Sequence, residues 1–553
     1  MGFKNRHKTI KPEGNLLAID RYSSLVDLLD QSLTSHADRV ACVSMGSPMT
    51  YRELDKHAHN LAAWLQSLDL PPKSRVALML PNVSASLVCL LGTLRSGHVV
   101  VNVNLLYTAR ELSLQLRDCG AEVIVVFEAF AHVLEKVEEG VRPKHTVVVS
   151  PGELQPMLKG RLINLVAKHV KKRVPAWRLP TSIGLAKALS QGQMSPFQSA
   201  NLLPDDVAIL QYTGGTTGEP RGAMLTHRNV VANILQVEHV AHPVLKDVLP
   251  APVTMLTALP LYHVFAMTVC AFYALHKGMR IVLAINARDL PALTALWKKE
   301  PPHVFPAVNT LFAALLRHEP FRQLDFSGLR IALGGGMAVH PMVASQWQAL
   351  TGKTIIEGYG MSETAPVICA NPTDTNTFSG TVGLPLPETS ILILDEQQCP
   401  LPDGEVGEIA VKGPQVMQGY WQAPAATAAC LSSQGYFLTG DMGLRDEQGH
   451  IKIVDRKKDM IVVSGFNVYP AEIDAVFAAH PAVMDCAAVG VADDVTGQAV
   501  RLFVVADQSK ITGEALLDWA KDKLTGYKRP KSVVFVDTLP KNPVGKTLRR
   551  LLV

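Results

Sequence analysis

The stretch I-L-Q-Y-T-G-G-T-T-G-E-P-R-G-A-M-L-T-H, at positions 209–227, decides how the chain is read. It opens as an apolar run of β character that includes Tyr212, then breaks into Gly214, Gly215 and Gly218, interleaved with Thr213, Thr216 and Thr217. Glycines let a backbone turn tightly and aim successive N–H groups into one concavity, which suits an anion. Hydroxyl and amide donors at this density, followed by the cation of Arg221, match a polyphosphate. The plainer alternative is a tight surface turn between two strands. A Walker A loop is excluded: it needs G-x-x-x-x-G-K-S/T, and the pairs Gly352-Lys353 and Gly545-Lys546 have Trp347 and Pro540 in place of the first glycine.

Outward from this loop, the N-terminal part alternates helical and strand patterns. An amphipathic helix is expected over 51–66, with short β-branched runs at 75–79, 99–103, 123–127 and 146–149. Strands recur after the loop at 257–259, 280–283, 330–333 and 354–356. Such alternation implies α/β architecture, a doubly wound parallel sheet with covering helices. From 389 the period changes to paired strands around the turn Pro402-Asp403-Gly404, a smaller β-rich subdomain. Asp455-Arg456-Lys457-Lys458-Asp459 then reads as a charged linker or hinge before a small α+β domain of helices at 471–479 and 514–524 and strands at 487–491, 500–505 and 532–536. The expected division is an N-terminal domain over 1–456, with its β-rich part at about 385–456, and a mobile C-terminal domain over 457–553.

A chain of 553 residues needs two or more domains. Its 18% charged residues and net charge of +4 argue against a protein held to nucleic acid by bulk charge. The eight cysteines contain no C-x-x-C, which favours buried thiols in a reducing compartment over zinc ligands or disulfides. The basic start lacks an apolar core behind it, so no secretory signal is expected. No apolar run approaches the length of a spanning helix. A cytoplasmic protein is expected, with peripheral attachment to the inner face of the cell membrane left open. One segment bears on this. Positions 157–174 place Leu158, Leu162, Leu165, Val166 and Val170 at helical spacing, with Lys159, Arg161, Lys168, Lys171, Lys172 and Arg173 on the other face. A basic amphipathic helix suits an anionic membrane surface or a solvated protein face.

Four further clusters carry chemistry. Gly334-Gly335-Gly336 follows a strand and lets a flat ring approach the backbone. Glu357-Gly358-Tyr359 leads into Ser362 and Glu363, joining an aromatic ring for stacking, a hydroxyl for a phosphate and a carboxylate for Mg²⁺. Asp441 follows Gly440 and suits ribose hydroxyls. Lys546 follows Pro543 and Gly545, which shape a loop that delivers a lysine at its tip.

In this order, the five motifs resemble the adenylate-forming superfamily of acyl-CoA synthetases, luciferases and peptide-synthetase adenylation domains. The similarity extends through 101–108 and 464–470 and is strongest to bacterial long-chain fatty acid–CoA ligases. The resemblance implies ATP, Mg²⁺ and coenzyme A as cofactor and co-substrates, and a fatty acid converted to its acyl-CoA through an acyl adenylate. It implies that Thr213 to Gly218 form the phosphate loop, that Gly334, Gly335, Gly336, Glu357, Gly358 and Tyr359 form the adenine site, and that Ser362 meets the α-phosphate. It further implies that Glu363 binds Mg²⁺, that Asp441 and Arg456 hold the ribose, and that Lys546 reaches the reacting groups. His263 falls beside the acyl site, Lys458 at the hinge and Gly465 where the pantetheine arm passes. Arg221 stands where the family usually has Lys. A medium-chain or aryl acid–CoA ligase, an enzyme loading an acyl carrier protein, and a noncatalytic relative remain alternatives. So does the oligomeric state, a homodimer included.

Overall fold

The computed structural model describes residues 17–213, 221–248, 252–493, 495–542 and 545–552. Two large sheets dominate. One has nine strands; its middle is parallel, from Val40–Ser44 through Arg280–Leu283, Thr254–Thr257, Val304–Ala307 and Ile331–Gly334 to Ile355–Gly360. The other has eight strands and is parallel from Val207–Thr213 through Val99–Asn102, Arg75–Met79 and Val123–Phe127 to His145–Val149 and Ile183–Gly184. Both carry antiparallel strands at an edge.

Strand alternation explains how the second sheet is buried on both faces. Val76, Leu78, Val123 and Val125 join the main core, whereas Ala77, Met79, Ile124 and Val126 join a separate core on the opposite face. Helix Ser84–Arg95 is buried at every position in the main core, so its sequence is apolar all round. It ends on Arg95, whose guanidinium is 8% exposed and is held by Asp30 and by Asp55 at 2.7 Å. Helix Tyr51–Gln66 packs across it, and a Cβ on Gly92 would lie 2.9 Å from Leu61 Cβ.

A four-stranded antiparallel sheet follows, Ser390–Leu394, Gly407–Lys412, Phe437–Arg445 and Ile451–Arg456, over its own small core. A five-stranded sheet then begins at Ile461–Val463, and it too has its own core, built on Ile473, Phe477, Leu502 and Leu516. The charged stretch between the last two sheets is shorter than its composition suggests. Asp455 and Arg456 belong to the strand, because Arg456 pairs opposite Asp441 across the ladder. Only Lys457–Asp459 form the connecting turn. Several boundaries move: helix Gly513–Trp519 ends earlier than the periodicity implies, and strands Val483–Asp493 and Gly497–Ala506 run longer because they pair with each other along their whole length.

Six cysteines are buried as expected, but Cys399 is exposed and Cys430 half-buried. No helix among the described residues is long and apolar enough to cross a membrane. Gly92→Val is expected to cost about 1–3 kcal/mol, because the added methyls must push against Leu61 and the Ala58 carbonyl; a lowered midpoint in urea unfolding is the check.

Candidate active site

The glycine-rich residues Gly214, Gly215, Thr216, Thr217 and Gly218 lie outside the described residues. Their flanks are placed: Thr213 and Arg221 face each other at the end of an antiparallel pair, strands Val207–Thr213 and Arg221–Thr226. The loop therefore joins two strands. It does not lead from a strand into a helix, as in the dinucleotide folds.

Tyr212 does not belong with the loop. Its ring is 8% exposed in the outer core of the second sheet and its hydroxyl donates to Asp118. The physical reason is strand parity, since neighbouring side chains point to opposite faces and only one parity can face the site. Gln211, its neighbour, points the other way, accepting from Asn102 at 3.0 Å and donating to the Tyr262 carbonyl at 3.2 Å.

A cleft of ≈ 1390 Å³ gathers Gly336, Glu357, Gly358, Tyr359, Asp441, Arg456 and Lys546. Parallel strands ending together create it: Ile331–Gly334 and Ile355–Gly360 are neighbours, and their C-terminal ends carry the two glycine motifs. Close approach requires glycine at two of these positions. A Cβ on Gly334 would meet Val339 at 2.6 Å, and one on Gly335 would meet the Phe265 ring at 2.8 Å. Glu357 accepts from the Val339 amide at 2.8 Å, which pins the segment after the triple glycine. Burial pushes this carboxyl up to about 7.

Asp441 is 4% exposed. One of its oxygens accepts from the Tyr359 hydroxyl at 2.6 Å and the other pairs with Arg456 Nε at 2.7 Å. Lys546 enters the same cleft at the end of a short hairpin in which Lys541 and Thr547 pair. Its amide donates to Asn542 Oδ1 at 2.8 Å. Burial, helped by the positive Arg456, brings the Lys546 ammonium down to about 8. Gly545 takes φ +84°, and a Cβ there would lie 2.6 Å from Thr310 Oγ1.

Glu363 sits in the turn Ser362–Thr364 and is 6% exposed. It accepts from the Tyr420 hydroxyl at 2.8 Å, and the Arg221 guanidinium lies 5.8 Å from the centre of the same Tyr420 ring. Burial holds the Glu363 carboxyl above its ordinary range. Among the described residues, no Lys or Arg forms an ion pair with it. Tyr420 is a site residue that the sequence alone does not reveal. Strand Gly419–Tyr420 pairs with Arg221–Thr226, a contact between segments nearly two hundred positions apart with no local signal.

His263 borders a separate cavity of ≈ 90 Å³ with Phe265, Gly335 and Tyr359. Burial lowers its imidazole to about 4, so it is neutral near pH 7. Its neighbour Tyr262, not His263, lines a second large cavity of ≈ 1250 Å³. That cavity is mostly apolar. It meets the cleft at Thr310, Ala314 and Lys541, which line both. Lys458 lies in the turn between the last two sheets, beside Lys457, which pairs with Glu408 at 2.7 Å. Gly465 is outside the cleft, at φ +83° in the hairpin turn between Ile461–Val463 and Phe466–Val468.

Known proteins resemble this chain along nearly its whole length. The model of the AMP-binding enzyme family matches residues 29–421, and that of the AMP-binding enzyme C-terminal domain matches residues 472–546. The long-chain-fatty-acid–CoA ligase of Escherichia coli O6:H1 is 47% identical over 534 residues, covering 96% of this chain and 94% of that protein. The long-chain-fatty-acid–CoA ligase of Haemophilus influenzae is 44% identical over 544 residues, covering 98% and 96%. Among solved structures, ATP-bound MatB from Rhodopseudomonas palustris is similar with a TM-score of 0.78 at 28% identity, covering 95% of this chain and 98% of that one. With two mainly parallel sheets, a cleft built on their glycine motifs and these matches along its length, the chain belongs to the AMP-binding enzyme family.

Proposed function

We propose that this protein converts long-chain fatty acids to acyl-CoA esters in two steps: a carboxylate and ATP give an acyl adenylate and pyrophosphate, and coenzyme A then takes the acyl group and releases AMP. The observation that carries this reading is the meeting, at the 541–547 hairpin, of a large apolar cavity with the cleft that holds Tyr359, Asp441, Arg456 and Lys546. An acid lying in the apolar cavity would bring its carboxylate to Lys546. Similarity along nearly the full chain to ligases of long-chain fatty acids supports the class of acid.

In the first step two anions must meet, so the work of the site is electrostatic. Lys546 neutralises the carboxylate and the α-phosphate together. Arg221 and the donors of the 213–218 loop hold the β- and γ-phosphates. Tyr359 and the triple-glycine backbone flank the adenine, Asp441 and Arg456 hold the ribose, and Ser362 donates to the α-phosphate. Glu363 is suited to Mg²⁺, being a buried carboxylate with a phenol and no protein cation paired to it; Mg²⁺ usually takes one or two carboxylates plus phosphate oxygens. Bound there, the ion would neutralise charge on the pyrophosphate leaving group.

The second step needs another arrangement. Lys546 lines the cleft close to the junction that a thiol would have to approach, and Gly465 lies outside the cleft. The unit after Arg456 has its own core. We therefore place the division into two domains at the Lys457–Asp459 turn. Rotation there, about Lys458, withdraws Lys546 and brings the Gly465 hairpin to the site.

Coenzyme A-dependent release of AMP across carboxylates from acetate to palmitate tests the activity. Release should rise toward palmitate, whereas a maximum at a short or aromatic acid would overturn the assigned chain length. Lys546→Ala should lower ATP–pyrophosphate exchange roughly 100- to 1000-fold, yet spare transfer from supplied palmitoyl-AMP to coenzyme A. Equal loss of both steps would remove Lys546 from its role. Because Lys546 works as a cation and titrates at about 8 in the free protein, kcat/KM for the exchange should fall as pH rises through that value. Lys546→Arg should move that limb upward. Lys458→Pro should keep pyrophosphate exchange and block thioester formation; unchanged kinetics in both steps would place the hinge elsewhere.

A further inference from the structure

The apolar cavity extends to residues that the cleft does not share. Its lining runs from Thr310, Lys541 and Gly545, beside the cleft, to Leu162, Val166, Lys171 and Arg173 on the segment that follows Pro156. That segment is an α-helix over Met157–Leu165 that widens to π-helical turns over Val166–Val170. Its inner side is anchored. Lys159 Nζ donates to the Met45 carbonyl at 2.6 Å and to Ser47 Oγ at 2.8 Å, so this lysine is a tether and not part of a solvated basic face. Asn164 Oδ1 accepts from the Gly152 amide at 2.6 Å.

The outer side is unlike an ordinary solvated helix. Leu158 is 81% exposed, Leu162 61%, Leu165 54% and Val170 67%. Leu106 and Ile285, which line the same cavity as Leu162, are 58% and 43% exposed. Exposed apolar side chains are common singly, but several on one helix, beside exposed lining residues of an apolar cavity, mark a binding surface. The charge beside it has one sign. Positions 157–178 hold seven Lys or Arg and no Asp or Glu, and Lys168, Lys171, Lys172 and Arg173 are exposed.

We infer that this helix is a docking element for an anionic lipid surface, seated with Leu158, Leu162 and Leu165 among the acyl chains and Lys168, Lys171 and Lys172 at the headgroups, so that the apolar cavity opens directly onto the membrane. A basic helix with an apolar edge is the form that lies in a membrane interface. Juxtamembrane cations add roughly fivefold in partitioning each at an anionic surface. A second copy of this chain would supply the same positive charge to the same face and is disfavoured. The inference rests on the proposed function for the identity of the ligand that uses the opening. In that setting the acid enters carboxylate first toward Lys546, and its tail passes from bilayer to cavity without crossing water.

Sedimentation of the full-length protein with phosphatidylglycerol vesicles, against phosphatidylcholine vesicles, reads the docking without any turnover. The wild-type chain should pellet with the anionic vesicles and be released by high salt. Leu158 and Leu165 do not line the cavity, so the double variant Leu158→Ser, Leu165→Ser isolates the surface. It should bind at least tenfold more weakly and convert oleate held in the vesicles more slowly, with oleate on serum albumin converted at the wild-type rate. Lys168→Glu with Lys172→Glu should abolish the preference for anionic lipid. Wild-type protein that stays in the supernatant, variants that pellet like wild type, or self-association lost in the serine variant without vesicle binding would each overturn the inference. ATP–pyrophosphate exchange, measured in parallel, separates that failure from a failure of the proposed chemistry.

Discussion

The site depends on one buried carboxylate. Asp441 comes from the four-stranded sheet, Tyr359 from the end of the nine-stranded sheet, and Arg456 from the last strand before the C-terminal unit. A carboxylate at 4% exposure costs several kcal/mol to desolvate unless it is paired. The Tyr359 hydroxyl and the Arg456 guanidinium supply the partners, at 2.6 and 2.7 Å. The Tyr359 contact joins the small sheet to the large one, and the Arg456 contact ties the last strand of the small sheet to its neighbour, just before the Lys457–Asp459 turn. The proposed ribose site is therefore also the joint of the molecule.

From that joint the C-terminal unit is held by a polar contact that can be exchanged. Asp455 accepts from the Ala471 amide at 2.6 Å across the turn. Next to Lys546, Gly545 leaves no room for a side chain against Thr310. A unit with its own core, joined through a three-residue turn, can turn as a body without disturbing either core. Such an arrangement suits the proposed reaction, in which a lysine is presented in one step and removed in the next.

How much could be read from the chain divides along physical lines. The glycine motifs at 334–336 and 357–360 were legible because their demand is local, a strand end that must accept close neighbours. The change from parallel to antiparallel sheet near 389 was legible in the spacing of strands and turns. Tyr212 was misplaced because alternation says that neighbours face apart, but only the register of the sheet says which one faces the site. Five charges in a row make 455–459 look like a linker or hinge, whereas the pairing with Asp441 across the ladder makes Arg456 a strand residue. Tyr420 carried no signal, since its meeting with Glu363 is a contact between distant segments.

The helix at 157–170 shows the same division. Its amphipathic character and its one-signed charge are properties of the sequence. Whether its apolar edge meets protein or remains exposed depends on what packs beside it, and that is a tertiary fact. The sequence by itself determined the class of sheet, the glycine-built strand ends and the kinds of side chain available for an ATP-dependent acyl transfer, because these follow from local backbone freedom and periodicity. Only the tertiary structure decided which carboxylate is buried and paired, which lysine is depressed by burial, and where the apolar cavity opens. Desolvation and long-range contact set those, and neither can be summed along a chain.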